Sequence, residues 1–81
     1  MISLLEAPQD KPLRIVAIQG PEGARRRLLS LGLRTGIMVE LSSQAPFGGP
    51  VLVKDKEKGM CFALGRGIAR RIQVDIVDGR K

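Results

Sequence analysis

The chain has 81 residues and a mass of 8.8 kDa, which suffices for one small domain and excludes most enzymes. It carries 14 Lys and Arg residues against 8 Asp and Glu residues, so its formal net charge at pH 7 is +6. The sequence has no His, Trp or Tyr, a single Cys and two Phe. It thus lacks the commonest general base and metal ligand, and also the thiolate pairs of a structural zinc or iron–sulfur site.

The amino-terminal segment is not predicted to be helical, because its first 12 residues include two prolines. We expect Leu4 and Leu5 to pack this segment onto the body of the domain. The first strand is predicted at residues 13–18, a short β-branched run between Pro12 and Gly20. The sequence shows no signal peptide and no apolar run of membrane-spanning length, so a cytoplasmic soluble domain is expected.

One substantial helix is predicted after the first strand, with Gly20 as its N-cap and the following proline at the first helical position. It is expected to end at Gly32, which suits a left-handed cap. Ala24, Leu28 and Leu31 recur at helical spacing and form one apolar stripe. We therefore expect this stripe to face the core.

Beyond Gly36, apolar residues recur at every second position, which predicts strands. Four further strands are expected at residues 37–42, 51–53, 60–64 and 72–76. A charged hairpin turn at residues 54–59 is predicted to use Gly59 at positive φ. Residues 65–70 are too few for a stable helix and are expected to form one 3₁₀ turn.

These elements predict a mainly β fold of about five short strands, with one α-helix between the first and second strands. An open sheet in so short a chain would leave exposed edges, so the strands are expected to curl into a small β-barrel, with the helix over one opening. A single domain is expected over residues 1–81, with a body at about residues 4–77 and a frayed tail at residues 78–81.

The sequence predicts no catalytic, metal or cofactor site. Its serines and its one cysteine lack an activating base. The glycines at residues 65 and 67 precede a strand, whereas a dinucleotide-binding loop precedes a long helix. Cys61 and Met60 are expected to pack as apolar strand residues, and Phe62 is expected in the core. Metal binding would depend on oxygen ligands such as Asp55, and we do not expect it.

Three clusters of basic residues are the main chemical feature: the arginines at 25–27, those at 70 and 71, and the lysines at 54, 56 and 58. Together they indicate an acidic protein, a nucleic acid or an anionic membrane surface as partner. Small barrels commonly bind nucleic acid by stacking bases on aromatic side chains, and here Phe47 alone is left for that role. Nucleic acid is therefore disfavoured. Leu29 and Phe47, rimmed by arginines, would suit a protein partner.

Three ordered segments of the chain resemble the sequence signatures of the FeoA family. Residues 27–36, RLLSLGLRTG, resemble its RL-x-x-LG-I/L-x-P-G signature, with Thr35 where the family commonly has proline. Residues 46–51, PFGGPV, resemble its P-x-GGP-I/V loop. Residues 63–74, ALGRGIARRIQV, resemble its terminal A/L-L-R-x-x-x-A-x-x-I-x-V signature. The resemblance extends over residues 4 to 77, nearly the whole chain.

This resemblance implies an SH3-like small barrel and a cytoplasmic accessory role in bacterial ferrous iron uptake. Members of the family are thought to act on FeoB, a membrane transporter with a cytoplasmic GTP-binding domain, and they carry no iron-binding motif. The same barrel occurs in iron-dependent repressors, but this chain has no DNA-binding helix-turn-helix. Association with the membrane is expected only through the partner, and weak self-association is left open.

The residues that contact the transporter are assigned from expected exposure. The candidate contact residues are Arg25, Arg26, Leu29, Phe47, Lys54 and Lys56. The residues assigned to structural motifs are Leu28, Leu31, Gly32, Gly36, Gly48, Gly49 and Pro50. Two alternative functions stay open, namely a small barrel that binds nucleic acid and an interaction module unrelated to iron.

Overall fold

The computed structural model describes residues 1–44 and 49–77. Its strands are β1 (Ile2–Ser3), β2 (Pro12–Ile18), β3 (Met38–Gln44), β4 (Val51–Asp55), β5 (Cys61–Leu64) and β6 (Ile72–Ile76). Its helices are α1 (Glu22–Ser30) and the short α2 (Arg66–Arg70), and a 3₁₀ turn spans Leu4–Glu6. The tail expected at residues 78–81 lies outside the described residues.

The strands form one antiparallel sheet in the order β1-β6-β2-β3-β4-β5. The register of β2 against β6 shifts between Ile15 and Ala17, and that of β3 against β4 shifts between Leu41 and Ser43. Such bulges increase the local twist, which helps a small sheet to curl around its own core. The predicted fold class, a mainly β SH3-like small barrel with one main helix, is confirmed, and the helix predicted between the first and second strands lies between β2 and β3 because β1 precedes them.

One apolar core fills the inside of the curled sheet. Alternate residues of β2, β3, β4 and β6 are buried, as expected for strands with one face on a core. Leu4 of the 3₁₀ turn, Leu28 of α1 and Ala69 of α2 belong to the same buried cluster, and Leu5 packs against it while partly exposed. The predicted packing of the amino-terminal segment through Leu4 and Leu5 is thus confirmed.

Two elements go beyond the prediction. β1 adds a short strand whose Ile2 lies opposite Val74 of β6. Residues 66–70 form a short α-helix where a 3₁₀ turn was expected. Ala69 is completely buried there, and α2 packs beside the 3₁₀ turn at the start of the chain. This tertiary packing outweighs the low intrinsic stability of a single helical turn.

The start of α1 also differs from the prediction, since Pro21, not Gly20, is its N-cap. Gly20 has a φ of +113°, whereas an N-cap residue has extended backbone dihedrals. A Cβ atom at Gly20 would lie 2.7 Å from an Nη atom of Arg71. The Gln19 N–H donates to the Arg71 carbonyl over 2.8 Å. Gly20 is therefore a turn residue pressed against Arg71.

The predicted apolar stripe of α1 is wrong at its end. Leu31 is 42% exposed, and Ala24 is only partly buried. Gly32 adopts the predicted left-handed conformation with a φ of +92° and turns the chain at the end of the helix. Leu33, which is completely buried, consequently takes the place in the core that was expected for Leu31.

The predicted burial around β5 is also wrong in part. Cys61 lies opposite Lys54 in the β4–β5 ladder and is exposed with it on the outer face. Met60 precedes the strand and is 53% exposed. Phe62 is partly buried and packs against the core. The predicted alternation is therefore correct for Phe62 and Leu64, which face the core, while Cys61 and Ala63 face solvent.

The anchor of α1 generates a stability prediction. Leu28→Ala is expected to lower the free energy of unfolding by about 2–5 kcal/mol, because it removes a buried leucine and leaves a cavity. Leu29→Ala makes the same chemical change at the next, exposed position and is expected to cost less than about 0.5 kcal/mol. Urea denaturation followed by circular dichroism measures both. Equal losses in the two variants would contradict the assignment of Leu28 as the anchor.

Candidate partner-binding site

The carboxyl end of α1 fixes which side chains the helix exposes. The Gly32 N–H donates to the Leu29 carbonyl over 2.9 Å, and the Leu33 N–H donates to the Leu28 carbonyl over 3.0 Å. This pair of bonds is the Schellman pattern, in which a left-handed glycine closes the helix. It directs Leu28 and Leu33 into the core and leaves Leu29 57% exposed, as predicted.

A groove of about 410 Å³ lies beside α1 and the segment that follows it. Its lining combines apolar and basic residues, namely Ile18, Leu29 and Leu33 with Arg25, Arg26 and Arg34. Leu33 is buried and Ile18 is partly buried, so the apolar part forms the floor. The structure thus brings together three of the predicted contact residues, Arg25, Arg26 and Leu29.

The three guanidinium groups of this groove differ in their partners. Arg26 Nη2 donates to Glu22 Oε2 over 3.0 Å, one helical turn away on α1. Arg25 and Arg34 form no ion pair and no side-chain hydrogen bond with any residue in the described ranges. Among the described residues, the groove therefore presents two guanidinium groups without an ion pair and one that is already paired.

A second groove of about 260 Å³ adjoins the first, because Leu29 and Arg34 line both. Its other side is the turn between β4 and β5, which contributes Asp55, Glu57 and Lys58. Leu29 and Arg34 accordingly lie at the centre of one continuous surface between α1 and this turn.

Asp55 holds the β4–β5 turn together. Its side chain is buried, and Oδ1 accepts hydrogen bonds from the backbone N–H groups of Glu57 at 2.8 Å and Lys58 at 3.2 Å. The Gly59 N–H donates to the Asp55 carbonyl over 2.7 Å, and Gly59 has the predicted positive φ, at +76°. The Asp55 carboxylate, which the sequence offered as an oxygen ligand for a metal, therefore stabilises the β4–β5 turn by accepting its backbone N–H groups.

Lys54 and Lys56 lie apart from the grooves. Lys54 is opposite Glu40 in the β3–β4 ladder, and Lys56 Nζ lies 3.8 Å from Glu40 Oε2. Neither lysine lines either groove. These two predicted contact residues thus form a separate cluster around one carboxylate on the outer face of the sheet.

The remaining predicted residues have mixed outcomes. Phe47 and Gly48 lie outside the described residues. Gly36 has a φ of +97°, and its N–H donates to the Ile15 carbonyl over 2.7 Å, which joins the segment before β3 to β2. Gly49 and Pro50 directly precede β4.

Arg34 lines both grooves but was not among the predicted contact residues. A signal for it was present in the residues themselves. Gly32 ends α1 in a left-handed turn, and Leu33 then points into the core. The side chain of the following residue, Arg34, therefore lies beside α1. Thr35 follows it in the lining of the first groove.

No helix within residues 1–44 and 49–77 has the length and apolar character needed to cross a membrane. In the same part of the chain, no three His, Cys, Asp or Glu side chains are grouped as ligands of a metal ion would be.

Comparison with known proteins places this geometry in a family. The model of the FeoA domain family matches residues 2–76. The crystal structure of an iron uptake regulatory protein, FeoA, is 29% identical, with a TM-score of 0.80 over 94% of this chain and 96% of that chain. The FeoA protein of Chlorobium tepidum is also 29% identical, with a TM-score of 0.84 over 99% of this chain and 74% of that chain.

More distant similarity extends to metal-dependent regulators. A manganese-dependent transcriptional repressor is 18% identical, with a TM-score of 0.84 over 93% of this chain and 36% of that chain, a likeness of fold alone. No curated protein sequence matches the chain.

The turn beside the second groove generates a prediction. Asp55→Ala is expected to lower the free energy of unfolding by about 1–3 kcal/mol, because two backbone N–H groups lose their acceptor. Asp55→Asn keeps an oxygen at Oδ1 and is expected to lose less than half as much. Urea denaturation measures both variants. An Asp55→Ala protein as stable as the wild type would show that the carboxylate does not support the turn.

Proposed function

The chain belongs to the FeoA domain family, and we propose that it serves ferrous iron uptake by protein–protein contact with the cytoplasmic part of a FeoB-type GTP-binding transporter. Membership of the family supports the role in ferrous iron transport. In this proposal the domain works in the cytoplasm, reaches the membrane only through its partner, and carries out no chemistry of its own.

The observation that carries the proposed contact is the exposed Leu29, which lines one groove with Arg25 and Arg34, two arginines without an ion pair within residues 1–44 and 49–77. A single exposed leucine is ordinary on a protein surface. Leu29, however, lines both grooves together with Arg34, and Arg25 lines the first. An apolar centre with arginines around it is the composition that protein interfaces favour. Covering Leu29 would remove apolar surface from water and provide the free energy for binding.

Regulation of the transporter requires that the contact discriminate between its states. A bound protein shifts a conformational equilibrium only by the ratio of its affinities for the two conformations. The proposed partner has a GTP-binding domain, so the domain described here would bias whichever nucleotide-dependent state exposes the complementary surface. The proposal therefore concerns a small binding module that acts through a difference in affinity.

The contact is tested by Leu29→Glu. Desolvating a carboxylate at the centre of the interface is expected to weaken binding to the transporter's purified cytoplasmic region at least about tenfold, given the contribution of one buried leucine. Leu31→Glu is the matched control, because Leu31 is also exposed at the same end of α1 but lines neither groove. It is expected to change the affinity less than about twofold. Isothermal titration calorimetry measures both, with circular dichroism to confirm folding. Unchanged binding by Leu29→Glu would refute the proposed contact.

The cellular role is tested separately by deleting the gene and measuring uptake of radioactive ferrous iron. Deletion is expected to alter the uptake rate, and expression of the wild-type chain or of Leu31→Glu is expected to restore it. Leu29→Glu is expected to fail although the protein accumulates to the same level. An unchanged uptake rate after deletion would contradict the role in iron transport and favour an interaction module unrelated to iron.

A further inference from the structure

We infer that the groove beside α1 binds an acidic segment of the partner, with carboxylates on Arg25 and Arg34 and an apolar side chain against Leu29. We further infer that Glu22 competes with that segment for Arg26. The inference deepens the proposed function, on which it rests, by giving the chemistry of the surface that the domain would recognise.

The two free guanidinium groups border the groove from different segments of the chain. Arg25 belongs to α1, while Arg34 follows the left-handed turn at Gly32. Leu29 lines the groove together with both, above the buried Leu33. A ligand that contacts all three would therefore carry negative charge at two places and an apolar group as well.

Carboxylates on a peptide fit this arrangement better than the alternatives. The guanidinium group matches a carboxylate with two parallel hydrogen bonds. A small inorganic anion would leave the apolar floor uncovered. A nucleic acid would bring phosphates but no aliphatic group, and within residues 1–44 and 49–77 no aromatic ring lines the groove on which a base would stack. The net charge of +6 attracts any acidic partner and speeds its approach.

Glu22 gives the site a property that a plain basic patch lacks. Its carboxylate lines the same groove and holds Arg26 at 3.0 Å. Exposed pairs of this kind contribute little to stability, so an incoming carboxylate has only a weak bond to displace. Glu22 therefore lowers the affinity of the groove for acidic ligands by keeping one of its three arginines occupied.

The test uses the full chain and a fluorescein-labelled peptide with the central sequence Glu-Glu-Leu-Glu-Glu, followed by fluorescence anisotropy. Arg25→Gln and Arg34→Gln are each expected to weaken binding about fivefold, the upper range for one exposed ion pair. Arg27→Gln is the matched control, since it removes the same charge from α1 but Arg27 lines neither groove. It is expected to change the affinity less than about twofold.

Glu22→Gln is expected to strengthen binding about two- to fivefold by releasing Arg26. Glu6→Gln adds the same unit of charge at an exposed position on the 3₁₀ turn and serves as its control. Two further probes test the ligand chemistry: a peptide with Gln in place of every Glu, and a labelled single-stranded oligonucleotide. Both are expected to bind more weakly than the acidic peptide.

Three results would overturn the inference: losses in Arg25→Gln and Arg34→Gln no larger than in Arg27→Gln, no gain in Glu22→Gln beyond that of Glu6→Gln, or tighter binding of the oligonucleotide. The same variants are titrated with the transporter's cytoplasmic region. If that region binds and the arginine variants bind it like the control, the inference fails and the proposed function stands. If the acidic peptide behaves as expected and that region does not bind, the proposed function fails and the ligand chemistry of the groove stands.

Discussion

The candidate site depends on one anchor, the residue Leu28. Its side chain is the only part of α1 that is buried, and its carbonyl accepts the Leu33 N–H that closes the helix. Both functions fix the rotation of α1 about its own axis. Because 100° separates successive residues of a helix, fixing Leu28 inward also fixes Leu29 outward. A helix held by several buried residues would leave less of its surface free for a partner.

The start of the helix is positioned by contacts of the two residues before Pro21 with Arg71. Gly20 lies against the Arg71 side chain, and the Gln19 N–H donates to the Arg71 carbonyl. Arg71 joins α2 to β6, and β6 pairs with β2, from which α1 departs. The segment that leads into α1 is therefore tied to β2 and β6.

The sequence predicted the elements whose causes are local. Period-two alternation predicted β3, β5 and β6, and short apolar runs predicted β2 and β4. The glycines at 32 and 59 have the left-handed conformation that the turns required. Errors arose where burial depends on distant residues. Leu31 and Leu33 are equally apolar, and only the geometry after Gly32 decides which of them enters the core. The α2 helix depends on Ala69 meeting the amino-terminal turn, a contact that no pattern within residues 65–70 reveals.

The candidate site, too, was predictable only where its causes are local. Arg25, Arg26 and Leu29 lie on one helix, so their shared exposure followed from helical geometry. Lys54 and Lys56 contribute to the same net positive charge, but strand pairing places both beside Glu40 and away from α1. Arg34 joins the site through the turn at Gly32. Net charge alone thus indicated the class of partner, while the pairing of individual charges decides where that partner would bind.

The distribution of carboxylates turns a uniformly basic surface into a selective one. Glu22 pairs with Arg26, Glu40 with Lys56, and Asp75 with the amino terminus at 3.2 Å, while Asp55 is committed to backbone N–H groups. Exposed pairs of this kind add little to the free energy of unfolding. Their larger effect is on recognition, because each one lowers the attraction of its surroundings for anions. The guanidinium groups of Arg25 and Arg34 form no ion pair within residues 1–44 and 49–77 and share a groove with the exposed Leu29, so electrostatic attraction and apolar burial would act there on the same ligand.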